Sequence, residues 1–229
     1  MRSSAPMLMT IGNGAMGFAA IYLAWHGHPM LALIAILFGS ILDTADGWTA
    51  RKFGVSSESG ATADMVSDLI TFGFAPAALI GFDGSGTLSW IMGGLYLAAI
   101  IFRLIRFRLK NVTAKQFQGM PSPVTALAIT SVAISMRRWF PELPIVEYVT
   151  PFISFVAISR IPFPKWGHPA IKLVPKSLLI AIYLVHFAAF LFFSAEAICS
   201  ISLLYMIVAP MLMSAYNRKQ ESVPRMEAE

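Results

Sequence analysis

Four aspartates stand at helical spacings in the stretch LDTADGWTARKFGVSSESGATADMVSD, residues 42–68: Asp43 and Asp46, then Asp64 and Asp68. On a helix, Asp43, Asp46, Gly47 and Ala50 follow i, i+3, i+4, i+7 and share one face. Gly60, Asp64 and Asp68 follow i, i+4, i+8 and share another. Carboxylates gathered this way repel one another, and Arg51 and Lys52 are the only basic residues within the stretch. Hard divalent cations, Mg²⁺ or Mn²⁺, neutralise such a set through carboxylate oxygens. Two of them about 3.5–4 Å apart form a clamp for displacement at phosphorus. Gly47, Ala50 and Gly60 leave the acid-bearing faces open to a bulky ligand, and Arg51 is a planar cation suited to phosphate oxygens. Helix capping or loop solvation accounts for one such acid but not for four. The chemistry indicated is that of a metal-bridged diphosphate.

The elements that must position these residues are greasy. Of 229 residues, 57% are hydrophobic and 13% charged, with a mean hydropathy of +0.69. That is about half the charge of a soluble domain. Span-length segments are expected at about 8–25, 30–50, 61–81, 88–109, 121–137, 143–159, 177–194 and 196–215. The fifth and sixth are short, and Pro144 and Pro151 interrupt the sixth, so six to eight spans are expected, with eight favoured. The expected fold is all-α: a polytopic membrane bundle forming one catalytic domain over 1–215, followed by a polar tail over 216–229. No removable signal peptide is expected, because MRSSAP leads into a span without a convincing cleavage site. The two aspartate faces lie on antiparallel neighbours joined by a short loop, so they are expected to face each other around one cavity.

Eight spans divide the seventeen basic residues fifteen to two, with only Arg137 and Arg138 on the poorer side. Basic residues accumulate on the cytoplasmic side, so both termini and the aspartate loop are expected there. The +5 net charge then reflects cytoplasmic loops facing anionic lipid rather than nucleic-acid binding. The five tryptophans fall at or just beyond span ends, as interfacial anchors do. A single cysteine, Cys199, excludes an intrachain disulfide and a cysteine-rich metal site.

At the aspartate stretch the chain resembles the CDP-alcohol phosphotransferase family. The family signature D-x2-D-G-x2-A-R-x8-G-x3-D-x3-D is met at Asp43, Asp46, Gly47, Ala50, Arg51, Gly60, Asp64 and Asp68. Further stretches resemble its phosphatidylserine synthase branch: SDLITFGFAPA (67–77), FRLIRFRLKN (102–111), FQGMPSPVTA (117–126) and ISRIPFPKW (158–166). TIGNGAMGF in the first span is a looser match, and Arg108 stands where the branch has asparagine. The resemblance implies a membrane enzyme that cleaves a CDP-linked lipid, releases CMP and joins the phosphoryl group to a hydroxyl. It implies CDP-diacylglycerol or CDP-archaeol as donor, L-serine as acceptor, two divalent ions and a homodimer. Asp43, Asp46 and Asp64 would be metal ligands; Asp68 a ligand, the general base, or both. Asp46, Gly47, Ala50, Arg51 and Gly60 would hold the CDP moiety.

Other polar residues admit functional and structural readings. Arg103 and Arg106, one turn apart, would read the serine carboxylate or anchor the span end; Ser122, within GMPSP (119–123), would line the acceptor site. Asn13 is expected to contact the nucleotide or bond to a neighbouring helix, and Gly12, Gly14 and Gly17 to permit close helix packing. His26 and His28 lack acidic or cysteine partners for zinc, Glu196 is expected in a solvated turn, and Ser57 and Ser59 as caps. Glycerol phosphate or inositol phosphate is the alternative acceptor, which Arg108 and Lys110 would favour. A divalent-cation transporter is the alternative class.

Overall fold

The computed structural model describes residues 4–54, 58–84, 86–109, 116–164, 168–175, 177–178, 181–182, 184–185 and 194–221. The chain opens with α1 (Ser4–Trp25) and α2 (Pro29–Phe53). A third rod runs through α3 (Glu58–Asp68), a π-helical turn (Leu69–Phe74) and α4 (Ala75–Asp83). Then come α5 (Thr87–Leu109), α6 (Ser122–Trp139), α7 (Ile145–Ile158) and α8 (Ser194–Glu221). Among the described residues, five rods are long and apolar enough to cross a membrane: Pro6–Trp25, Pro29–Phe53, Glu58–Asp83, Thr87–Leu109 and Ala195–Lys219. The protein is an all-α integral membrane protein.

The fifth and sixth expected spans are the ones that depart from this pattern. With 18 residues, α6 is about 27 Å long, and with 14 residues α7 is about 21 Å. The face of α6 that is buried carries Ser122, Thr125, Thr130, Ser131 and Ser135 beside small apolar residues. A helix enclosed by other helices need not be greasy all round, which is why its composition reads weakly as a span. The seventh expected span, 177–194, falls mostly outside the described residues. Residues 216–221, expected as tail, continue α8, whose last turn carries Arg218 and Lys219 where the helix dipole favours cations.

Sequence chemistry explains the ends. Pro29 opens α2 in its first turn; Arg51 and Lys52 close it, and Gly54 follows in the left-handed conformation, its N–H returning to the Ala50 carbonyl. Before α6, Gly119 has φ +80°, and a β-carbon there would lie 2.1 Å from the Ala157 carbonyl oxygen, so only glycine fits. This tight approach accompanies a feature that the sequence reading did not contain, an antiparallel pair of strands, β1 (Gln116–Gln118) and β2 (Pro162–Pro164), with Phe117 opposite Phe163.

The core is built around Phe72, Leu79, Ile80, Tyr96, Ile100, Ile129 and Ile153. Polar pairs reinforce it at the opposite end of α5 from Leu109. Arg137 Nε lies 3.1 Å from Asp83 Oδ2 and its Nη2 lies 3.2 Å from Glu147 Oε1, which also accepts from Ser89 Oγ at 2.6 Å. Glu196, expected in a solvated turn, instead begins α8 and accepts from Trp139 Nε1 at 3.0 Å. Its position at the first turn, beside Arg138 at 3.8 Å, explains the pairing. Cys199 is buried in the core, as a small apolar residue would be. His26 Nδ1 sits 2.8 Å from the Tyr22 carbonyl oxygen, and neither His26 nor His28 belongs to a metal-competent cluster among the described residues.

Candidate active site

Asp43 lies ten residues, about 15 Å, before the end of α2 at Phe53. Asp68 lies ten residues, the same depth of about 15 Å, beyond the start of α3 at Glu58. Two antiparallel helices joined by a short connection therefore bring the two acids to one level. The sequence reading put them nearer the helix ends, because α2 runs to Phe53 and α3 starts at Glu58, each beyond its expected span.

At that level one carboxylate oxygen from each of Asp43, Asp64 and Asp68 lies within 4.8 Å of the others. Asp64 Oδ1 is buried with no hydrogen-bond partner among the described residues. Three converging carboxylates, one of them with an orphaned oxygen, form a donor set of the kind that hard divalent cations take. The residues present fit such an ion. Asp46 is not within this trio. It is buried against α1, and its Oδ2 accepts a 2.8 Å hydrogen bond from Thr10 Oγ1.

The remaining motif residues line the α2 and α3 faces leading to the trio. Gly47 and Ala50 follow Asp46 along α2, and Gly60 lies in the first turn of α3, one turn before Asp64. Arg51 is exposed, and its Nη1 lies 3.3 Å from where a Gly47 β-carbon would stand. The missing side chain leaves room for the guanidinium to fold along the helix. Arg108 bridges from α5 to this region, donating to the Ala61 carbonyl and to Thr62 Oγ1, both at 2.9 Å.

The two arginines expected at the acceptor site have different surroundings. Arg103 is buried, donates from Nη1 to Ser122 Oγ at 2.6 Å, and lies within electrostatic reach of Asp68 and Asp43. Its Nε has no partner among the described residues. Arg106 instead spends its Nη atoms on the carbonyls of Ile158 (2.5 Å), Gln118 (2.8 Å) and Ser159 (3.0 Å). It clamps the segments bearing β1 and β2, and it borders an open groove of about 800 Å³ that none of the four aspartates lines. The pairing of Arg103 with Ser122 joins two of the expected acceptor residues; Arg106 is engaged elsewhere because its guanidinium meets three chain carbonyls first.

Two α1 residues touch the acids. Thr10 donates to Asp46, and Asn13 Nδ2 donates to Asp68 Oδ1 at 3.1 Å. Asn13 was expected to touch either the nucleotide or a helix; Thr10 was not singled out. The available signal was a stripe: Thr10, Asn13, Gly14 and Gly17 follow i, i+3, i+4, i+7 on one face of α1. The glycines bring the helices close, since a β-carbon at Gly14 would stand 3.1 Å from Ser67 Oγ, and one at Gly12 3.2 Å from Leu42 Cδ1.

The family model described as CDP-alcohol phosphatidyltransferase matches residues 3–159. Archaetidylserine synthase of Methanothermobacter thermautotrophicus is 33% identical over 165 residues, which cover 70% of this chain and 69% of that protein. CDP-diacylglycerol–serine O-phosphatidyltransferase of Bacillus subtilis is 30% identical over 165 residues, 70% of this chain and 90% of that protein. The Methanocaldococcus jannaschii protein of the same name is 33% identical over 169 residues, 69% and 81% of the respective chains.

Proposed function

This chain belongs to the CDP-alcohol phosphatidyltransferase family, and on that footing we propose that it transfers a phosphatidyl-type group from a CDP-linked lipid to the hydroxyl of L-serine, releasing CMP. Relatives named for an archaetidyl product and for a diacylglycerol donor lead us to CDP-diacylglycerol or CDP-archaeol as the lipid. The observation that carries the serine reading is Arg103, a buried guanidinium held by Ser122 beside Asp43 and Asp68. A carboxylate-bearing acceptor offers it a fork to read. A phosphorylated acceptor would call for further cations, but Arg106 and Arg108 already hold protein oxygens.

Asp43, Asp46, Asp64 and Asp68 would hold two divalent ions, Mg²⁺ or Mn²⁺. When bound, such ions neutralise the diphosphate and the charge that develops on the leaving CMP. The protein's own part is orientation and proton transfer. Gly47, Ala50, Arg51 and Gly60 would cradle the CDP moiety along the α2 and α3 faces. Arg103 and Ser122 would hold the serine so that its hydroxyl meets the phosphorus. Asp68 would accept the hydroxyl proton as that oxygen bonds to phosphorus and the bond to CMP breaks. The same reading has the site facing the cytoplasm, as the basic-residue bias indicates, the lipid tails entering from the bilayer, and the chain acting as a homodimer.

Protein purified in detergent and given CDP-lipid tests this directly. CMP release should require serine; release driven equally well by glycerol phosphate or inositol phosphate would overturn the acceptor assignment.

A further inference from the structure

Asn13 is fully buried, and its amide is shaped by three helices. Its Nδ2 donates to Asp68 Oδ1 at 3.1 Å, while its backbone carbonyl accepts from Thr71 Oγ1 at 2.7 Å. From α2, a β-carbon at Gly39 would stand 3.0 Å from Asn13 Oδ1 and 2.6 Å from Thr71 Cγ2. The amide therefore sits against α2 in a space that only the missing side chain of Gly39 leaves open. Asn13 Oδ1 is itself buried without a partner among the described residues. Burying an amide with half its hydrogen-bonding capacity unused is unfavourable, so packing alone would favour an apolar residue here. What the position gains in return is one donor, aimed at one oxygen of Asp68.

We infer that Asn13 is a positioning residue for Asp68: its amide holds Oδ1 and thereby fixes the rotation of the carboxylate that converges with Asp43 and Asp64. The inference rests on the reading of Asp68 as the base. It differs from simple helix adhesion, because an adhesive bond contributes to stability, whereas a positioning bond contributes to turnover through one particular partner. Groups that orient a ligand or base from behind typically contribute 10–100-fold in activity or metal affinity.

The test compares Asn13→Leu, which keeps the branching at Cγ but has no donor, with Asp68→Asn and with the double variant, all in the whole chain in detergent. Three readouts are taken: steady-state CMP release with varied CDP-lipid and serine, Mn²⁺ binding without substrate by electron paramagnetic resonance, and thermal unfolding. Asn13→Leu should lower kcat by roughly 10–100-fold. It should leave both KM values, the Mn²⁺ stoichiometry and the unfolding midpoint close to those of the parent. Adding Asn13→Leu to Asp68→Asn should cost nothing further, since a residue acting through a partner has no effect once the partner is gone. Full turnover by Asn13→Leu, a change confined to the KM for CDP-lipid, lost Mn²⁺ sites, or a full additional loss in the double variant would each overturn the inference. If Asn13→Leu does not fold, Asn13→Ser carries the same comparisons, its hydroxyl being too short to reach Asp68; failure of both to fold makes Asn13 structural and overturns the proposal. The two readings also fail separately. Parent-like turnover by Asp68→Asn removes the base and this inference together, whereas an inactive Asp68→Asn beside a fully active Asn13→Leu removes the inference alone.

Discussion

Gly17 of α1 and Thr71 of the π-helical turn meet backbone to backbone: a β-carbon on residue 17 would stand 2.6 Å from Thr71 Oγ1 and 2.7 Å from Thr71 Cα. This approach lies three residues beyond Asp68 on the third rod and one turn beyond Asn13 on α1, so a close helix contact and the candidate base share one face. Gly17→Ala should push α1 outward, lowering stability in detergent by about 1–3 kcal/mol as overpacking does, and lowering turnover with it. Gly94, where an added β-carbon meets open space, is the control: Gly94→Ala should leave both unchanged or slightly raise stability. Thermal unfolding and CMP release on the two variants check this.

Metal dependence is expected from the oxygens of Asp43, Asp64 and Asp68 converging within 4.8 Å. A chelator should abolish CMP release, and Mg²⁺ or Mn²⁺ should restore it. Full activity in excess chelator would sink the reading.

The four acids should separate by kinetics. Asp43→Asn, Asp46→Asn and Asp64→Asn should each weaken Mn²⁺ binding as well as turnover, since each removes a charge from a hard-cation site. Asp68→Asn should lower turnover by about 10²–10⁴-fold, as loss of a general base does, while CDP-lipid binding is largely kept. If Asp68→Asn loses nucleotide binding as completely as Asp46→Asn, Asp68 is chiefly a ligand and the base lies elsewhere.

Arg103→Lys keeps a positive charge but loses the planar fork that would read a carboxylate. The KM for serine should rise roughly 10–100-fold, the equivalent of one charged hydrogen bond, with the KM for CDP-lipid little changed. Arg106→Lys should leave the serine KM near the parent value and instead lower stability, because its guanidinium holds three backbone carbonyls. Reversal of these two patterns would exchange their roles.

Orientation follows from the fifteen-to-two division of basic residues. Single cysteines at the exposed residues Glu58 and Glu142 should react with an impermeant reagent from opposite sides of the membrane, Glu58→Cys from the cytoplasmic side. The native Cys199 is buried and should give little background. Labelling of Glu58→Cys from outside would place the site on the other face.

The aspartate site was legible because its geometry is local: spacings of three and four residues on two adjacent helices settle which side chains share a face. What touches those acids from α1 was not. Thr10 and Asp46 are 36 residues apart and Asn13 and Asp68 are 55 apart, and a threonine or asparagine within a span has many uses. Arg103 and Arg106 looked equivalent for a related reason. They share a face of α5, and only the tertiary placement of Ser122 and of the carbonyls at 118, 158 and 159 distinguishes them. Hydropathy found the five long apolar rods; α6, expected as a span, is not among them, because its buried face carries hydroxyls. The strands, three residues each with prolines at both ends of β2, carry no alternation to read.

The π-helical turn at Leu69–Phe74 has an angular consequence. A π-helix spends an extra residue on its turn, and each residue of an ordinary helix advances about 100°. The aspartates of α3 and the apolar side chains of α4 are therefore set at bearings that an uninterrupted helix could not supply together. Tyr96 Oη donates to the Phe72 carbonyl at 2.8 Å, and Thr71 is tied to α1, so the offset is held from two sides. Deleting one residue from this turn would restore a regular helix and swing Asp68 away from Asp43 while Leu79 and Ile80 stayed in the core. The third rod thus behaves as a coupling between two independently phased surfaces, one turned toward the chemistry and the other toward the bundle.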